Sequence, residues 1–192
     1  EEYYERYYPY GELAAHVIGY TNRISEEDLE TLNPDDYRGL QYIGRSGIEQ
    51  QYEERLRGKP GYQQVETDAN GNIVRLMREQ PAVRGQDIYL SLDIELQAFI
   101  YRALGDYRGS SVMIDPQTGE VLAMVSKPGF DANLFARGIS QRQYKRLQED
   151  PHGPMYDRAL KGRYSPGSVI KPFMSLAGYH YGVFTPYTRV NC

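Results

Sequence analysis

The pattern of apolar and polar positions predicts two pairs of strands. The stretch "YQQVETDANGNIVRLMREQ" (62–80) contains two strand-like runs on either side of Asn70-Gly71, a dipeptide that favours a hairpin turn. The stretches "SSVMIDP" (110–116) and "GEVLAMVS" (119–126) are rich in apolar and β-branched residues and meet at a Pro-Gln-Thr-Gly turn. Because only a turn separates these last two runs, they must pair antiparallel.

Other stretches of the chain have apolar residues at the spacing typical of helices. In "GIEQQYEERLRG" (47–58) apolar or aromatic residues recur at positions 48, 52 and 56, as on one face of a helix, and Gly58 fits its end. The remaining predicted elements are strands over 16–24 and 87–92, and helices over 25–32 (Ser25 as N-cap, Asp28 three residues later), 93–107 (Asp93 as N-cap), 140–150, and from about 165–168 onward.

This order of elements predicts an α+β fold with an antiparallel sheet. "PAVRGQ" (81–86) is polar and contains Pro and Gly, as expected of a join between two modules. We therefore expect a first module of short strands and helices over 1–86 and a second over 87–192.

Composition limits the possible functions. The 192 residues are 40% hydrophobic and 25% charged, which is a globular balance, and the net charge is -4. The 22 basic residues are scattered rather than clustered, so nucleic acid is not an expected partner. The longest apolar runs, such as 121–125, are too short to cross a bilayer. The chain begins with Glu1 rather than Met, and we expect both of its ends to lie within a longer protein.

Tyrosine, cysteine and histidine add candidate features. Five tyrosines in the first ten residues predict either a partly hydrated contact surface or an exposed sheet edge; they are Tyr3, Tyr4, Tyr7, Tyr8 and Tyr10. The single cysteine, Cys192, allows no internal disulfide. The three histidines, His16, His152 and His180, show no metal-ligand spacing, so no metal and no cofactor are expected.

The strongest candidate chemistry lies in "YSPGSVIKPF" (164–173), where Lys171 follows Ser168 by three positions. On a helix these side chains share a face, so the lysine could take the proton of the serine as the serine attacks a substrate. A lysine can be such a base only when its pKa falls well below about 10.4. We expect a helix N-terminus, together with Val169, Ile170, Phe173 and Met174, to provide a positive, water-excluding environment. The backbone N–H of Ser168 could help to bind an oxyanion.

The same residues fit a purely structural interpretation. Ser165 or Ser168 would then be a helix N-cap, Pro166 would occupy the first turn, and Lys171 would be a solvated side chain. Spacing alone leaves both interpretations open.

Longer motifs resemble the class B penicillin-binding proteins of the elongation type. "GRSGIEQQYEERLRGKPG" (44–61) is similar to a motif of the membrane-proximal pedestal, and "RYYPYGELAAHVIGY" (6–20) resembles another pedestal segment. "LSLDIELQ" (90–97) and "DPQTGEVLAMVSKPGFDANLF" (115–135) resemble the start of the transpeptidase domain, with Ser91 and Ala132 where threonine and proline are usual. "YSPGSVIKPF" lies where the nucleophile motif belongs.

The resemblance implies a serine D,D-transpeptidase of peptidoglycan synthesis. Ser168 would be the nucleophile and would contribute its N–H to the oxyanion hole, and Lys171 would be the general base. Peptidoglycan stem peptides would be the substrates, and β-lactam antibiotics would acylate the same serine. The two modules would be a non-catalytic, dimerisation-like pedestal and the N-terminal portion of the transpeptidase domain.

The resemblance also implies a location and partners. The protein would lie on the periplasmic side of the cytoplasmic membrane, held by a single-pass anchor that precedes this chain. Its pedestal would contact elongation-complex proteins and a polytopic glycosyltransferase of the shape, elongation, division and sporulation (SEDS) family.

Two other functions remain open at the level of sequence. The S-x-N and K-T-G motifs that complete such active sites are absent from these 192 residues, so the chain by itself should be nearly inactive. A serine D,D-carboxypeptidase or β-lactamase would use the same nucleophile. A non-catalytic scaffold that activates a partner glycosyltransferase would not use it.

Overall fold

Antiparallel strand pairs and short helices make up the structure, a computed structural model that describes residues 6–189. It divides into two units, with the boundary between Lys161 and Gly162. Tyr3, Tyr4 and Cys192 lie outside the described residues. The helices are α1 Ala15–Ile18, α2 Glu26–Thr31, α3 Pro34–Tyr37, α4 Gly47–Gln51, α5 Glu53–Leu56, α6 Ile94–Ala103, α7 Asn133–Ala136, α8 Gln141–Glu149 and α9 Lys171–His180; the strands are β1 Thr21–Arg23, β2 Tyr42–Gly44, β3 Tyr62–Thr67, β4 Ile73–Gln80, β5 Gly109–Ile114 and β6 Val121–Lys127; 3₁₀ helices span Gly11–Leu13 and Gly167–Ile170.

The predicted α+β class is confirmed, because strands pair antiparallel as β1–β2, β3–β4 and β5–β6 among short helices. Both predicted hairpins form where the turn residues indicated. Asp68 fixes the first turn by accepting hydrogen bonds at Oδ1 from the backbone N–H groups of Asn70 and Asn72. Asp115 does the same in the second turn, where its Oδ1 accepts from the N–H of Gln117 at 2.7 Å.

The predicted N-caps are also confirmed. The Ser25 side chain accepts a hydrogen bond from the Asp28 N–H, and the Asp28 carboxylate accepts from the Ser25 N–H, which makes a capping box at the start of α2. The Asp93 side chain accepts from Glu95 and Leu96 at the start of α6. These helix starts were predictable because each cap depends on residues within three positions of one another.

Three predicted elements differ from the structure. Residues 16–18 belong to α1 rather than to a strand, and the chain leaves the helix at Gly19, whose φ of +79° only glycine adopts readily. The helix expected over 47–58 is interrupted at Tyr52, between α4 and α5. Residues 87–92 form no strand, and this stretch meets β6 through the Ser91 hydroxyl, which donates to the Val121 carbonyl at 2.8 Å.

The main core of the first unit combines residues from both predicted modules. Tyr8 and Ala15 are buried together with Phe130, Phe135 and other residues that follow β6. Phe130 packs edge-on against Phe135 with ring centroids 5.5 Å apart. Burying each such ring contributes roughly 1.5–3 kcal/mol, so contacts between the two stretches are a main source of stability.

Side-chain amides join the same two stretches. Asn133 accepts a hydrogen bond from the Tyr8 N–H at 2.9 Å and donates one to the Tyr8 carbonyl at 2.9 Å. Gln97, which is 2% exposed, donates to the carbonyls of Leu13 and Met124 and accepts from the Met124 N–H. These amides thereby pair with backbone groups inside the unit, as buried polar groups require.

A buried carboxylate anchors the first residues of the structure. Glu49 is 5% exposed and binds the Arg6 guanidinium through both oxygens, at 2.8 and 3.2 Å. The Tyr8 hydroxyl donates to Glu49 at 3.2 Å and accepts from the Thr21 N–H at 2.9 Å. Burial, which has the largest effect, and the nearby charge of Glu49 raise the pKa of Tyr8 to about 12. This phenol therefore remains a hydrogen-bond donor at physiological pH.

Replacing Glu49 by alanine should destabilise the chain by about 2–4 kcal/mol, because it leaves the Tyr8 hydroxyl without its acceptor and Arg6 without its carboxylate. Urea unfolding followed by circular dichroism measures the change. The matched control is Glu54→Ala in α5, which removes an exposed carboxylate and should cost less than about 0.5 kcal/mol. Equal effects of the two substitutions would contradict the structural role of Glu49.

Candidate active site

Ser168 lies in the 3₁₀ helix Gly167–Ile170, which leads directly into α9. Gly167, just before the serine, has a φ of +58°, which is strained for any other residue. The backbone N–H of Lys171 donates to the carbonyl of Ser168, the i to i+3 bond of a 3₁₀ turn. The sequence predicts a helix start near this position, and in the structure that start takes the form of a 3₁₀ turn.

This geometry places Ser168 and Lys171 on one face. Side chains at i and i+3 eclipse each other on a 3₁₀ helix, which aligns them more directly than an α-helix does. Within residues 6–189, no hydrogen bond joins Ser168 Oγ to Lys171 Nζ. The two groups are therefore placed on one side of the turn but are not paired in this structure.

Neither the 3₁₀ helix nor α9 is capped by a serine side chain. Pro166 precedes the 3₁₀ helix, and Pro172 lies in the first turn of α9, where its missing N–H breaks no helical hydrogen bond. The interpretation of Ser165 or Ser168 as an N-cap is therefore wrong, and Ser168 Oγ is left available for other contacts.

The water-excluding environment expected around Lys171 is not present in the described structure. Lys171 is exposed, and Val169, Phe173 and Met174 are 75%, 65% and 63% exposed. Leu176 and Tyr179 of the same helix are also exposed. A helix with apolar residues over most of its surface normally lies largely inside a protein core, but these side chains of α9 are exposed in the described structure.

The far end of α9 is held by local contacts. Gly182, with a φ of +68°, and Val183 donate backbone hydrogen bonds to the carbonyls of Tyr179 and Gly178, the Schellman arrangement that ends many helices. The Phe184 ring lies so close to Gly178 that a Cβ there would come within 2.2 Å of it. The helix that carries Lys171 thus has a defined end within the second unit.

The other polar candidates serve the structure of the first unit. Asp131 Oδ1 accepts a hydrogen bond from the Asn133 N–H at 2.9 Å, as expected of a loop-fixing residue. Glu53 accepts from the Tyr37 hydroxyl at 2.7 Å and pairs with Arg57 at 3.3 Å. Of the early tyrosines in the described part, Tyr8 is buried whereas Tyr7 and Tyr10 are exposed, so only the last two could belong to a contact surface.

Two surface cavities lie in the first unit. One, of about 460 Å³, is lined by Arg6 and by residues of 84–89; the other, of about 370 Å³, lies between Tyr37 and α5. Ser168 lines neither of them. Among residues 6–189, no three His, Cys, Asp or Glu side chains come close enough to hold a metal ion, and no helix there has the length and apolarity needed to span a bilayer.

Known protein families match most of the chain. Residues 1–90 match the family described as Penicillin-binding Protein dimerisation domain, and residues 109–192 match the family described as Penicillin binding protein transpeptidase domain. The chain is 47% identical to the peptidoglycan D,D-transpeptidase MrdA of Acinetobacter baumannii, over 97% of this chain and 28% of that protein. It is 44% identical to the protein of the same name from Escherichia coli K12, over 98% of this chain and 30% of that protein.

Solved structures give the same result. The structure resembles Pseudomonas aeruginosa PBP2, crystallised with WCK 5153, with a TM-score of 0.83 and 42% identity over 98% of this chain and 38% of that one. It also resembles PBP2 of Helicobacter pylori, solved as a complex with MreC, with a TM-score of 0.82 and 32% identity over 96% of this chain and 34% of that one. The chain spans about 30% of the length of these curated relatives. It belongs to the class B penicillin-binding proteins, in the group of penicillin-binding protein 2.

Proposed function

We propose that the protein to which this chain belongs is a serine D,D-transpeptidase that cross-links peptidoglycan during cell elongation. The observation that carries this proposal is the position of Ser168 and Lys171, one 3₁₀ turn apart, within a segment that matches the transpeptidase family. The named relatives, which are peptidoglycan D,D-transpeptidases at 42–47% identity, support the same reaction.

In this mechanism Ser168 Oγ attacks the carbonyl carbon between the two terminal D-alanines of a stem peptide, and Lys171 accepts the hydroxyl proton. The C–N bond breaks, and the terminal D-alanine leaves with a proton on its amine. The amine of a neighbouring strand then attacks the acyl ester and restores Ser168. β-Lactams acylate the same oxygen by opening their ring.

Reaction by this route requires an uncharged lysine, and therefore a less hydrated environment than the exposed α9 has in this structure. We propose that further parts of the transpeptidase domain cover the apolar residues of α9 and supply the S-x-N and K-T-G groups. Burial of Val169, Phe173 and Met174 would then remove water from the neighbourhood of the lysine.

For location and partners, we propose a membrane-anchored protein that faces the periplasm. Residues 1–86 would contact elongation-complex proteins, a proposal supported by the MreC complex of the H. pylori relative. A SEDS-family glycosyltransferase is proposed as a second partner, on the basis of the family resemblance.

Labelling of the whole protein with a fluorescent penicillin, followed by peptide mass spectrometry, tests the proposed function. A stable adduct on the peptide that contains Ser168, together with formation of cross-linked peptide from a stem pentapeptide and an acceptor amine, is the expected result. An adduct that is released within minutes would instead indicate a hydrolase. Absence of any adduct on correctly folded protein would favour the scaffold.

A further inference from the structure

Asn70 differs from the other asparagines of residues 6–189 because its side-chain amide makes no hydrogen bond within that range. The amides of the other four are held by partners: Asn22 by the N–H of Arg23, Asn33 by the N–H of Asp35, Asn72 by the Asp68 carboxylate, and Asn133 by the backbone of Tyr8. Asn70 is also exposed, at the tip of the β3–β4 hairpin. Its amide can therefore rotate freely in water.

Asn70 is also the one asparagine of these five that precedes a glycine. The residues that follow the others are Arg23, Pro34, Ile73 and Leu134. The backbone nitrogen of the following residue is the nucleophile nearest along the chain to an asparagine amide; proline has no N–H, and a side chain on that residue hinders its approach. A Cβ at Gly71 would meet no atom within 4 Å, so the space around this nitrogen is open.

An unhindered backbone nitrogen next to a free amide allows a defined reaction. The Gly71 nitrogen loses its proton and attacks Asn70 Cγ, which forms a C–N bond and closes a five-membered succinimide ring. The bond from Cγ to the amide nitrogen breaks, and that nitrogen leaves as ammonia. Water then opens the ring at either carbonyl, which gives aspartate or isoaspartate. The net change is one water consumed and one ammonia released, without any other reactant.

The hairpin turn opposes this reaction. In the closed turn the Gly71 N–H donates to the Asp68 carbonyl at 3.0 Å, a bond that must break before the nitrogen can attack. The Asp68 carboxylate supports the turn by accepting from the N–H groups of Asn70 and Asn72, at 2.8 and 2.9 Å. Both strands of the hairpin are exposed except at Val65, which is partly buried. Local hydrogen bonds rather than burial therefore keep the turn closed.

We propose that Asn70 is a site of spontaneous deamidation and that Asp68 limits the rate by holding the turn closed. Conversion adds a carboxylate close to that of Asp68. The isoaspartate product also lengthens the backbone by one methylene group, which disturbs the strand pairing that begins at Thr67 and Ile73. Deamidation thus changes both the charge and the shape of the exposed hairpin, and it does not depend on the proposed reaction at Ser168.

Incubation of the whole protein, followed by digestion and peptide mass spectrometry, tests this proposal. The mass change of an amide NH₂ replaced by OH should accumulate on the peptide that contains Asn70 before it appears at any other asparagine of residues 6–189. The rate should rise with pH, because the attacking nitrogen must lose its proton. Asn70→Gln should eliminate the change in this peptide, because the longer side chain would have to close a less favourable six-membered ring.

A second pair of variants tests the part played by the turn. Asp68→Ala should convert about tenfold faster at Asn70, the change expected when two hydrogen bonds that close the turn are lost. The matched control is Asp115→Ala, which removes the corresponding carboxylate from the turn of the β5–β6 hairpin and should leave the rate at Asn70 unchanged.

Three results would overturn the proposal. One is the absence of conversion at Asn70 in the folded protein during a period in which the same peptide, released by digestion before incubation, converts completely. Another is conversion at a different asparagine of residues 6–189 ahead of Asn70. The third is an equal rate in Asp68→Ala and the unsubstituted protein, which would remove the role given to Asp68. The first two readouts need no variant, so they do not depend on whether a substituted protein folds.

Discussion

Substitution of Ser168 by alanine in the whole protein should eliminate covalent labelling by a fluorescent penicillin. Alanine has no oxygen that can attack the β-lactam carbonyl, and loss of a serine nucleophile typically lowers turnover by about a millionfold. Gel fluorescence and intact-protein mass spectrometry measure the adduct, and cross-linked peptide should be lost in parallel.

Ser165→Ala is the matched control for this experiment. Ser165 lies three residues before Ser168 and makes no side-chain cap for the helix that follows, so its removal should leave labelling close to that of the unsubstituted protein. Labelling that survives in Ser168→Ala would assign the nucleophile to another residue. A melting temperature similar to that of the unsubstituted protein shows that loss of the adduct is not loss of folding.

Replacement of Lys171 by methionine should reduce the rate of acylation by about 10²–10⁴-fold, the range typical of a lost general base. Methionine retains much of the apolar stem of lysine but cannot accept the proton of Ser168. Stopped-flow or quenched labelling with penicillin at saturating and subsaturating concentrations measures the rate constant.

The Lys171→Arg variant separates a base from a fixed positive charge. Arginine remains protonated at all accessible pH values, so it should be as slow as methionine if Lys171 accepts a proton. Near-normal acylation in Lys171→Arg would mean that the residue contributes only charge, and another group would have to be the base.

The sequence predicted those parts of the fold that depend on nearby residues. The hairpin turn near Asn70 and the N-caps Ser25 and Asp93 each involve groups within a few positions of one another, and all three form as expected. The helical stretch 16–18 was wrongly predicted as a strand because its end at Gly19 depends on close packing: a Cβ there would lie 1.8 Å from the carbonyl oxygen of Ser46. Such a contact between distant segments is not visible in local spacing.

The sequence predicted the spacing of the candidate site but not its environment. The S-x-x-K spacing and its neighbouring motifs predict Ser168 and Lys171 as site residues, and the structure places them on one turn. The degree of exposure of Val169 or Phe173 depends on what packs against α9, and the residues of α9 do not determine that. The same limitation applies to the packing of His16 against Phe130, a residue far along the chain.

The amides of Asn133 and Gln97 have a mechanical consequence. Asn133 exchanges two hydrogen bonds with the backbone of Tyr8, and Gln97 connects Leu13 to β6. A force applied at Leu13 would be carried by the Gln97 bonds into α6 and β6, whereas a force applied at Tyr8 would be carried by the Asn133 bonds into α7. Tension at the beginning of the described chain would therefore be shared between two separate elements of the first unit.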